Sequence, residues 1–540
     1  MAAIVVSVLR HLHYPVFADP PIRAQAENRW IIRLPIMRGL HAVLAELTQT
    51  VVALLAELGA GRDPTEEMLR ELKQRIAALE ARVPNDKVTP ALIDAAQAAG
   101  IPWQRLSQKT FQFGSGSRLR WFAGSVSDQT PYLGATTTEN KLLTAQLLAA
   151  QMLPAPKSGQ AHTVEDAVGI AEQMGYPVVV KPVDRNRGEG VFARLENTES
   201  VRAAYGKARE LSENIMVEQH IAGVDHRLHV FGGSVYRAGR RIPGGVTGDG
   251  VATIAILLER LNAERERSLA GGRRDPVPID RDDEAERMLA EQSLSWDSIP
   301  GDGQFVALRS IANVSTGGTR FSISLDDIHP DNIAMAERAV GLFGLDIAAV
   351  DFICPDIGRS WTDVGGAICE INAGPQFGDD AAEKILASLF PDQGRIPVGM
   401  VLGDAGSAAW LTELREKLNG QGVTLGMVLD GEAWIGDRLI ARLPEQSAFE
   451  GAMLLLRERR VEQLIVKVDA GFRKHGVPCE GIDWLAIDRP QMDDDARALA
   501  SLVTPFAKQV LVHEDLEVAG AAPTYRPVSP DRWAAAILDL

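Results

Sequence analysis

Apolar residues recur at helical spacing in the first part of the chain. They predict helices over residues 40–58, 65–82 and 89–99, because side chains three and four positions apart share one face of a helix. The short apolar run at residues 4–8 predicts a first strand. We therefore expect helices around a small sheet up to about residue 135.

From about residue 136 the pattern changes to short apolar runs that alternate with helical segments. Helices are predicted over residues 137–152 and 163–174. Buried strands are predicted at residues 177–181, 215–218, 226–231, 345–354 and 367–372. The charged stretch 264–287 predicts a mobile loop within a lid around residues 240–300. This alternation is typical of α/β and α+β architecture.

The last part of the chain, from residue 395, continues the alternation. Strands are predicted at residues 395–402, 423–428, 463–468, 484–487 and 509–512, with a helix over 408–419. The fold class we expect is therefore α/β and α+β with several domains. Their predicted limits are 1–135, 136–394 and 395–540.

Composition narrows the class of protein. A chain of 540 residues with 46% hydrophobic and 24% charged residues is a multidomain globular protein, which excludes disorder and fibrous folds. The net charge of −16 would repel phosphate backbones, so we expect no nucleic-acid partner. Three widely separated cysteines predict neither disulfides nor a zinc site, and favour a reducing cytoplasm. No uninterrupted apolar run approaches 18 residues, so we expect no membrane span.

Two of the predicted strands carry oxygen ligands that suit a metal ion. Asp351 lies in the strand at 345–354, and Glu370 and Asn372 lie in the strand at 367–372. Residues i and i+2 of a strand share a face, and a glycine turn between the two strands lets them pair. Two carboxylates and an amide oxygen on one face suit Mg²⁺ with bridging phosphates. Exposed strand acids are the alternative, which the otherwise apolar strands disfavour.

A buried strand also delivers Lys181 to a turn that contains Asn186, Gly188 and Gly190. Glycines let backbone N–H groups approach phosphate oxygens, and a lysine adds a point charge. The alternative is a hairpin turn with an exposed lysine, and the turn taken alone favours this alternative.

The loop after the next strand offers groups for a nucleoside. Glu218 and Gln219 could read an adenine edge, and Asp225 could accept hydrogen bonds from ribose hydroxyls. A solvated loop acid is the simpler interpretation of any one of them.

A fourth segment, residues 308–319, combines an arginine with small and hydroxyl residues. Arg309 could neutralise a transferring phosphoryl group, and the loop with Asn313, Ser315, Thr316 and Gly317 could enclose an oxyanion. An ordinary glycine-rich loop is an equal alternative.

Other polar residues are less informative. Arg237, Arg240 and Arg241 either guide an acidic substrate or coat a lid. His226 and His229 are three apart on a predicted strand, so they lie on opposite faces and do not predict a metal site.

In this order the four motifs resemble the ATP-grasp ligases and, more closely, the cyanophycin synthetase family. The resemblance covers residues 87–391 and includes 127–130, 139–141, 246–250 and 364–366. It implies an N-terminal domain, an ATP-grasp domain and a Mur-ligase-like region. It also implies that ATP is bound between two sheets and that two Mg²⁺ are held.

The resemblance assigns roles to individual residues. The implied phosphate ligands are Lys141, Lys181, Asn186, Gly188 and Gly190; the adenine and ribose ligands are Glu218, Gln219, Ile221 and Asp225; the metal ligands are Asp351, Glu370 and Asn372. Arg227 joins Arg309 and its loop among the implied catalytic residues. The implied chemistry is attack of a carboxylate on the γ-phosphate, followed by attack of an amine on the acyl phosphate, so charge neutralisation and positioning dominate.

Two positions inside this domain depart from the family pattern. Arg185 stands where the family usually has glycine in the phosphate loop, and Gly245 stands where synthetases often have histidine. The second departure puts proton transfer by the lid in doubt.

The last region departs further. Its turn keeps Gly403 and Gly406, but Ser407 and Ala408 replace the phosphate-binding lysine and the magnesium-binding hydroxyl. About 145 residues follow residue 395, which is short for a complete Mur ligase. We expect this region to hydrolyse no ATP and to serve docking or dimerisation.

The combined expectation is a cytoplasmic ATP-grasp ligase that joins β-aspartyl-arginine dipeptides to a growing cyanophycin chain, as short members of the family do. A homo-oligomer, dimer or tetramer, is expected. Two alternatives remain open: a non-catalytic or partly active partner of a full-length synthetase, and a ligase for another amino acid or dipeptide.

Overall fold

The computed structural model describes residues 2–12, 22–26, 29–32, 41–81, 86, 88–185, 189–270, 277–310, 312, 316–516 and 525–540. The chain forms two compact units. One is Ser125–Pro375, and the other combines Met1–Gly124 with Gln376–Leu540. The compact units therefore change at residues 124 and 375 rather than at the predicted limits 135 and 394, and the first and last predicted domains share one unit.

Helices and strands alternate over most of the chain. The helices are α1 (Ala2–His11), α2 (His41–Gly59), α3 (Glu66–Glu80), α4 (Val88–Ala99), α5 (Tyr132–Glu139), α6 (Lys141–Ala150), α7 (Val164–Met174), α8 (Thr198–Arg209), α9 (Ile254–Ala270), α10 (Asp283–Glu291), α11 (Pro330–Leu342), α12 (Trp361–Val364), α13 (Asp379–Leu389), α14 (Ser407–Gly420), α15 (Ala448–Leu455), α16 (Phe472–His475), α17 (Asp494–Val503) and α18 (Trp533–Leu538).

The strands are β1 (Ile22–Ala26), β2 (Arg29–Ile32), β3 (Trp103–Arg105), β4 (Phe111–Phe113), β5 (Arg120–Ala123), β6 (Val126–Ser127), β7 (Ser158–Ala161), β8 (Val178–Pro182), β9 (Phe192–Leu195), β10 (Ile215–Gln219), β11 (Val224–Phe231), β12 (Ser234–Ile242), β13 (Gly245–Thr247), β14 (Phe305–Ala307), β15 (Thr319–Ile323), β16 (Ile347–Cys354), β17 (Ala367–Asn372), β18 (Val398–Gly403), β19 (Leu425–Leu429), β20 (Glu432–Ile435), β21 (Arg438–Arg442), β22 (Gln463–Lys467), β23 (Ile482–Asp488), β24 (Ala507–His513) and β25 (Tyr525–Val528). This mixture confirms the predicted fold class.

The predicted first strand is wrong, because residues 4–8 lie within α1. Val5, Val6 and Leu9 of this helix are buried and pack against Leu47 of α2. The run is too short for its periodicity to separate a strand from a helix, and packing against α2 decides in favour of the helix.

Helix α2 is long and apolar enough to cross a bilayer, since the window Ala42–Gly59 has a mean hydropathy of 1.5 and 28% of it is buried. A core helix meets the same criterion, so a single such helix is weak evidence for a span. Leu44, Leu47 and Val51 form one apolar cluster with residues of α1 and α3, so one side of α2 packs on protein.

The unit that contains the C-terminal region is built on an eight-stranded sheet. Its order is β21-β20-β19-β22-β18-β23-β24-β25. Six of these strands are parallel to one another, namely β19, β22, β18, β23, β24 and β25. The strand–helix alternation predicted after residue 395 is therefore confirmed. A parallel sheet is buried on both faces, and β18 is accordingly buried along its whole length.

The Ser125–Pro375 unit holds the predicted nucleotide motifs on two sheets. A four-stranded sheet has the order β7-β10-β8-β9, and a five-stranded antiparallel sheet has the order β15-β12-β11-β16-β17. Helices α7 and α8 cover one face of the first sheet, and α11 covers the apolar face of the second. The opposite face of the five-stranded sheet carries charged residues.

Two predicted segments of this unit differ from the structure. The predicted helix 137–152 is two helices, because Asn140 leaves helical geometry and its side chain accepts a hydrogen bond from the N–H of Leu143, which starts α6. The predicted loop 264–287 contains the end of α9 and the start of α10, where Asp282 caps the helix. Residues 271–276 between them lie outside the described residues.

Candidate active site

The predicted metal ligands lie on adjacent antiparallel strands. Asp351 of β16 is directly opposite Glu370 of β17, and Asn372 is opposite Ala349. The register is regular up to this pair, and a bulge follows it between Asp351 and Phe352. The strands therefore place two carboxylates and one amide on the same sheet face, as the alternation of strand side chains predicted.

Asp351 is buried and is held by two arginines. Its Oδ2 lies 2.9 Å from Nη2 of Arg241, and its Oδ1 lies 3.7 Å from Nε of Arg227. The longer distance is beyond hydrogen-bonding range. The buried Oδ1 consequently has no hydrogen-bond partner among the described residues.

This arrangement fits a divalent cation. A buried carboxylate oxygen without a hydrogen bond needs a cation or a donor, and Glu370 and the amide oxygen of Asn372 stand beside it. Among the described ranges, no group of three or more His, Cys, Asp or Glu side chains could hold a metal ion. A cation here would therefore depend on the amide of Asn372 and on phosphate oxygens to complete its ligands.

Lys181 and Glu218 form a buried ion pair on the other sheet. The Nζ of Lys181 lies 2.5 Å from Oε1 of Glu218. Burial disfavours the ammonium, but the carboxylates of Glu218 and Glu370 outweigh it, and the pKa of Lys181 is raised. The carboxylate of Glu218 is thus occupied by a lysine, which argues against its predicted role at an adenine edge.

Lys141 approaches the metal ligands from the start of α6. Its Nζ donates to the carbonyl of Arg185 at 2.7 Å and lies 3.7 Å from Oε1 of Glu370. Burial lowers the pKa of Lys141, which Glu370 partly offsets. Arg185 turns its guanidinium to the carbonyl of Leu211, so the arginine that replaces a glycine in this loop contributes its carbonyl to the site.

Asp225 is tied to the same cluster. Its Oδ1 accepts a hydrogen bond of 2.8 Å from Nη2 of Arg241, its partner across β11 and β12. Burial raises the pKa of Asp225 to about 6, although Arg241 opposes this rise. Asp225, the predicted ribose ligand, and Asp351, a predicted metal ligand, are therefore both bound to the guanidinium of Arg241.

These side chains line a cavity of about 520 Å³ within the Ser125–Pro375 unit. Its ionisable lining includes Lys141, Lys181, Glu218, Asp225, Asp351 and Glu370. Its apolar lining includes Val179, Val191, Ala193, Ile221, Ile353 and Cys369. Gln219 also lines the cavity. The volume suits a nucleotide-sized ligand, and the lining combines apolar with charged side chains.

Arg309 does not reach this cavity. It is buried, its Nη1 and Nη2 donate to both carboxylate oxygens of Asp282 at 3.0 and 2.9 Å, and Glu284 lies 3.8 Å from its Nε. Arg309 therefore fixes the start of α10 in this structure, and its contact with a phosphoryl group stays a prediction. Ser310 and Ala312, which follow it, do line the cavity.

The predicted loop residues divide between structural roles and positions that are not described. A Cβ at Gly317 would lie 2.5 Å from Cγ1 of Ile279, and the residue has a φ of +92°, so glycine is required there for packing. Thr316 is exposed and is not part of the cavity lining. Asn313 and Ser315 lie outside the described residues.

The turn after Lys181 is similar. Gly190 has a φ of +72°, and a Cβ there would lie 2.9 Å from Cδ1 of Leu211 and 3.0 Å from Cγ of Pro182. Its glycine is thus explained by packing and backbone geometry. Asn186 and Gly188 lie outside the described residues.

Gly245 shows why histidine is absent at its position. It pairs with Ala307 in the β13–β14 ladder, and a Cβ on Gly245 would lie 2.3 Å from the carbonyl oxygen of Val306. No side chain fits this backbone arrangement, so proton transfer from this position is excluded.

The sequence motifs assign Arg241 no definite role and do not single out Ile353 or Cys369 as part of the cavity. Counting outward from the hairpin turn Gly232-Gly233 places Arg240 opposite Asp225. A bulge between His229 and Val230 shifts the register by one residue, so Arg241 takes this position instead. The sequence alone therefore selects the wrong arginine. Cys369 enters the cavity lining because a bulge in β17 leaves it without a partner on β16, and the sequence gives no sign of this bulge.

In the other unit, the turn after β18 is the one in which the sequence predicted no phosphate binding, and its own side chains form hydrogen bonds there. Asp404 accepts a hydrogen bond from the N–H of Gly406 at 2.8 Å, and the hydroxyl of Ser407 donates to Asp488 at 2.7 Å. The indole of Trp410 donates to the same oxygen of Asp488 at 2.8 Å. Carboxylates thus occupy the start of α14, where a phosphate-binding turn would receive an anion.

Comparisons with known proteins agree with this geometry. A family model described as an ATP-grasp domain matches residues 135–225. Cyanophycin synthetase of Trichormus variabilis is 33% identical over 399 residues, which is 71% of this chain and 44% of the relative. The glutathione biosynthesis bifunctional protein of Mannheimia succiniciproducens is 32% identical over 286 residues, 50% of this chain and 35% of the relative.

A solved structure, a bifunctional glutathione synthetase from Pasteurella multocida, aligns with a TM-score of 0.43 and 24% identity over 66% of this chain and 53% of that chain. The chain spans about half the length of the cyanophycin synthetases it matches. Residues 135–225 thus match an ATP-grasp domain, and the chain is similar to cyanophycin synthetases over most of its own length, which confirms the resemblance predicted from its motifs.

Proposed function

We propose that this chain is an ATP-dependent carboxylate–amine ligase that polymerises β-aspartyl-arginine dipeptides into cyanophycin. The observation that carries the proposal is one cavity of about 520 Å³ that brings together two lysines, the Asp351–Glu370 pair and an apolar wall. Each of these groups has a counterpart in the requirements for binding ATP and transferring its γ-phosphoryl group.

The apolar end of the cavity is suited to a purine. Val179, Ile221 and Ile353 line it together, and Gln219 adds an amide at the edge. Apolar contacts with a few polar groups are the usual composition of such sites. Asp225 would then accept from ribose hydroxyls, as proposed from the sequence.

The charged end is suited to the triphosphate. Lys141 and Lys181 would neutralise phosphate oxygens, and Asp351, Glu370 and Asn372 would hold magnesium. Magnesium, when bound, would neutralise charge on the phosphoryl group as it transfers. The number of ions remains a prediction.

The proposed reaction has two steps. The C-terminal carboxylate of the growing chain attacks the γ-phosphorus, the bond to the β-phosphate oxygen breaks, and ADP leaves. The amine of an incoming dipeptide then attacks the acyl carbon, phosphate leaves, and the amine loses a proton. Positioned charges suffice for both steps, so no nucleophilic side chain is required.

The choice of a dipeptide follows from the C-terminal region. Asp404 and Asp488 occupy the turn in which a second nucleotide would bind, and no lysine is present there. A chain with one ATP site can perform one of the two ligations that build cyanophycin from amino acids. Arginine would therefore have to arrive already joined to aspartate.

A second candidate is a ligase for a more acidic substrate. Burial and four arginines (Arg227, Arg237, Arg320 and Arg241) lower the pKa of His229 to about 3. Arg185, Arg240 and Arg241 line the cavity itself, and these guanidinium groups favour an acceptor with additional carboxylates.

The test is phosphate release by the purified full chain with ATP and Mg²⁺. β-Aspartyl-arginine, aspartate plus arginine, and aspartate alone are compared, each with and without a cyanophycin primer. Release with the dipeptide only supports the first proposal, and release with aspartate or an acidic peptide supports the second. E370Q, measured in every mixture, controls for contaminating ATPases.

No release in any mixture would overturn both proposals. Stimulation of a full-length synthetase by the silent chain would then identify it as a partner subunit.

A further inference from the structure

Arg241 links two carboxylates that belong to different parts of the proposed ATP site. Its Nη2 donates to Oδ1 of Asp225 at 2.8 Å and lies 2.9 Å from Oδ2 of Asp351. The three side chains are 10%, 20% and 6% exposed, respectively. A guanidinium with two carboxylates in so buried a place is held firmly, because solvent does not compete for its hydrogen bonds.

The backbone register sets this contact. Arg241 is opposite Asp225 on the paired strands β12 and β11, while Asp351 is opposite Arg227 on β16 and β11. Asp225 and Asp351 are therefore diagonal neighbours across a strand pair. Without the guanidinium of Arg241 between them, the carboxylates of Asp225 and Asp351 would repel each other, and the side chain of Asp351 could turn toward Arg227.

The hydrogen bonds of Asp351 are distributed unequally. Arg241 engages Oδ2, and Oδ1 is left buried with no hydrogen-bond partner in the described part of the chain. A group that fixes one oxygen of a carboxylate orients the other, and such outer contacts tune metal affinity. Arg241 thus fixes Oδ2 and leaves Oδ1 without a hydrogen bond, on a residue that lies directly opposite Glu370.

We infer that Arg241 is a positioning residue that orients Asp351 for a divalent cation and couples this orientation to the nucleoside end of the cavity through Asp225. The inference rests on the proposed function, since it assumes that a metal–nucleotide complex occupies this cavity. It gives Arg241 no direct contact with the phosphates.

The test measures binding rather than turnover. Isothermal titration calorimetry of the full chain with a non-hydrolysable ATP analogue, in the absence of metal and over a series of Mg²⁺ concentrations, separates nucleotide affinity from its magnesium dependence. In R241M the magnesium concentration needed for half-maximal tightening should rise about tenfold to a hundredfold. Affinity for the metal-free analogue should fall by a smaller factor, because only the hydrogen bond that Arg241 donates to Asp225 is lost there.

Two further variants keep the test decisive. R241K retains the charge and one donor atom but not the planar guanidinium, so it should recover part of the magnesium dependence, and it carries the test if R241M does not fold. R202M removes an exposed arginine that pairs with Glu165 in the same unit, and it should match the unsubstituted chain.

Each remaining outcome overturns the inference. Equal weakening with and without Mg²⁺ would show a direct phosphate contact. An unchanged magnesium concentration for half-maximal tightening would show that Arg241 does not orient Asp351. A lower concentration would show that Arg241 only occupies the position of the cation. If the unsubstituted chain bound no nucleotide, the proposed function would fail together with the inference. If it bound nucleotide and R241M gave one of these contrary results, the inference alone would fail.

Discussion

The ammonium of Lys181 lies 2.5 Å from the carboxylate of Glu218, although the two residues are on different strands of the four-stranded sheet. Lys181 is opposite Met216 and Glu218 is opposite Val179, so the pair crosses the ladder diagonally. Both side chains are at most 10% exposed. Breaking a buried pair on one side is costly, because it leaves the other charge without compensation.

We therefore expect E218Q to destabilise the fold by about 3 kcal/mol, measured by urea unfolding without nucleotide. E165Q is the matched control, because Glu165 also pairs with an arginine, at 3.0 Å, but on the surface. Exposed pairs contribute little, so E165Q should be nearly neutral. Equal losses in the two variants would contradict the buried-pair interpretation.

The two predicted metal acids should respond differently to removal of their charge. The side chain of Glu370 is 30% exposed, and its ion pair with Lys141 is long, at 3.7 Å. Asp351 is 6% exposed and holds two arginines. E370Q should abolish phosphate release and leave the unfolding transition in place, whereas D351N should abolish release and also lower stability.

Phosphate release and thermal unfolding, measured on the same preparations, check this prediction. Residual release by E370Q at a rate near that of the unsubstituted chain would remove Glu370 from the site. Intact stability of D351N would show that Arg241 and Arg227 do not depend on its charge.

The sequence was informative where a local rule decides geometry. Alternation along a strand placed Glu370 and Asn372 on one face, and the structure adds Asp351 opposite Glu370. The same rule put His226 and His229 on opposite faces. Parallel strands and their helices after residue 395 were also predictable, because each is a continuous apolar run between turns.

The sequence failed where a distant partner decides the outcome. Arg309 could serve a phosphate or a carboxylate, and the position of Asp282 in three dimensions selects the carboxylate. Residues 4–8 form a helix because α2 offers them an apolar face. Neither partner can be identified from spacing along the chain, so tertiary contacts override the local pattern in both cases.

The chain should lose stability in mild acid through His226. This side chain is buried on β11, with its Nδ1 3.7 Å from Sγ of Cys354, and burial lowers the pKa of His226 to about 4. The unfolded chain takes up a proton near pH ~6.5, but the folded chain does not until about pH 4. The free energy of unfolding should therefore fall as the pH decreases through this window.

H226L should reduce this acid sensitivity, and H162Q, at an exposed histidine, should not. Thermal unfolding between roughly pH 7 and pH 5 measures the slope for each variant. His229 has its pKa lowered to about 3 and contributes with the same sign, so the slope in H226L should be smaller but not zero. An unchanged slope in H226L would exclude His226 as a source.

The turn at the start of α14 should be catalytically silent. Ser407 is fully buried and shares Asp488 with Trp410, so S407A removes one of two donors to a carboxylate and should cost about 2 kcal/mol of stability. Phosphate release should be unchanged in S407A and in D404N, because an asparagine can still accept the hydrogen bond from the N–H of Gly406. A large loss of release in both variants, at a temperature where both remain folded, would mean that this turn binds a nucleotide. Photolabelling with an azido-ATP analogue provides an independent check, since peptides from residues 125–375 should carry all of the label.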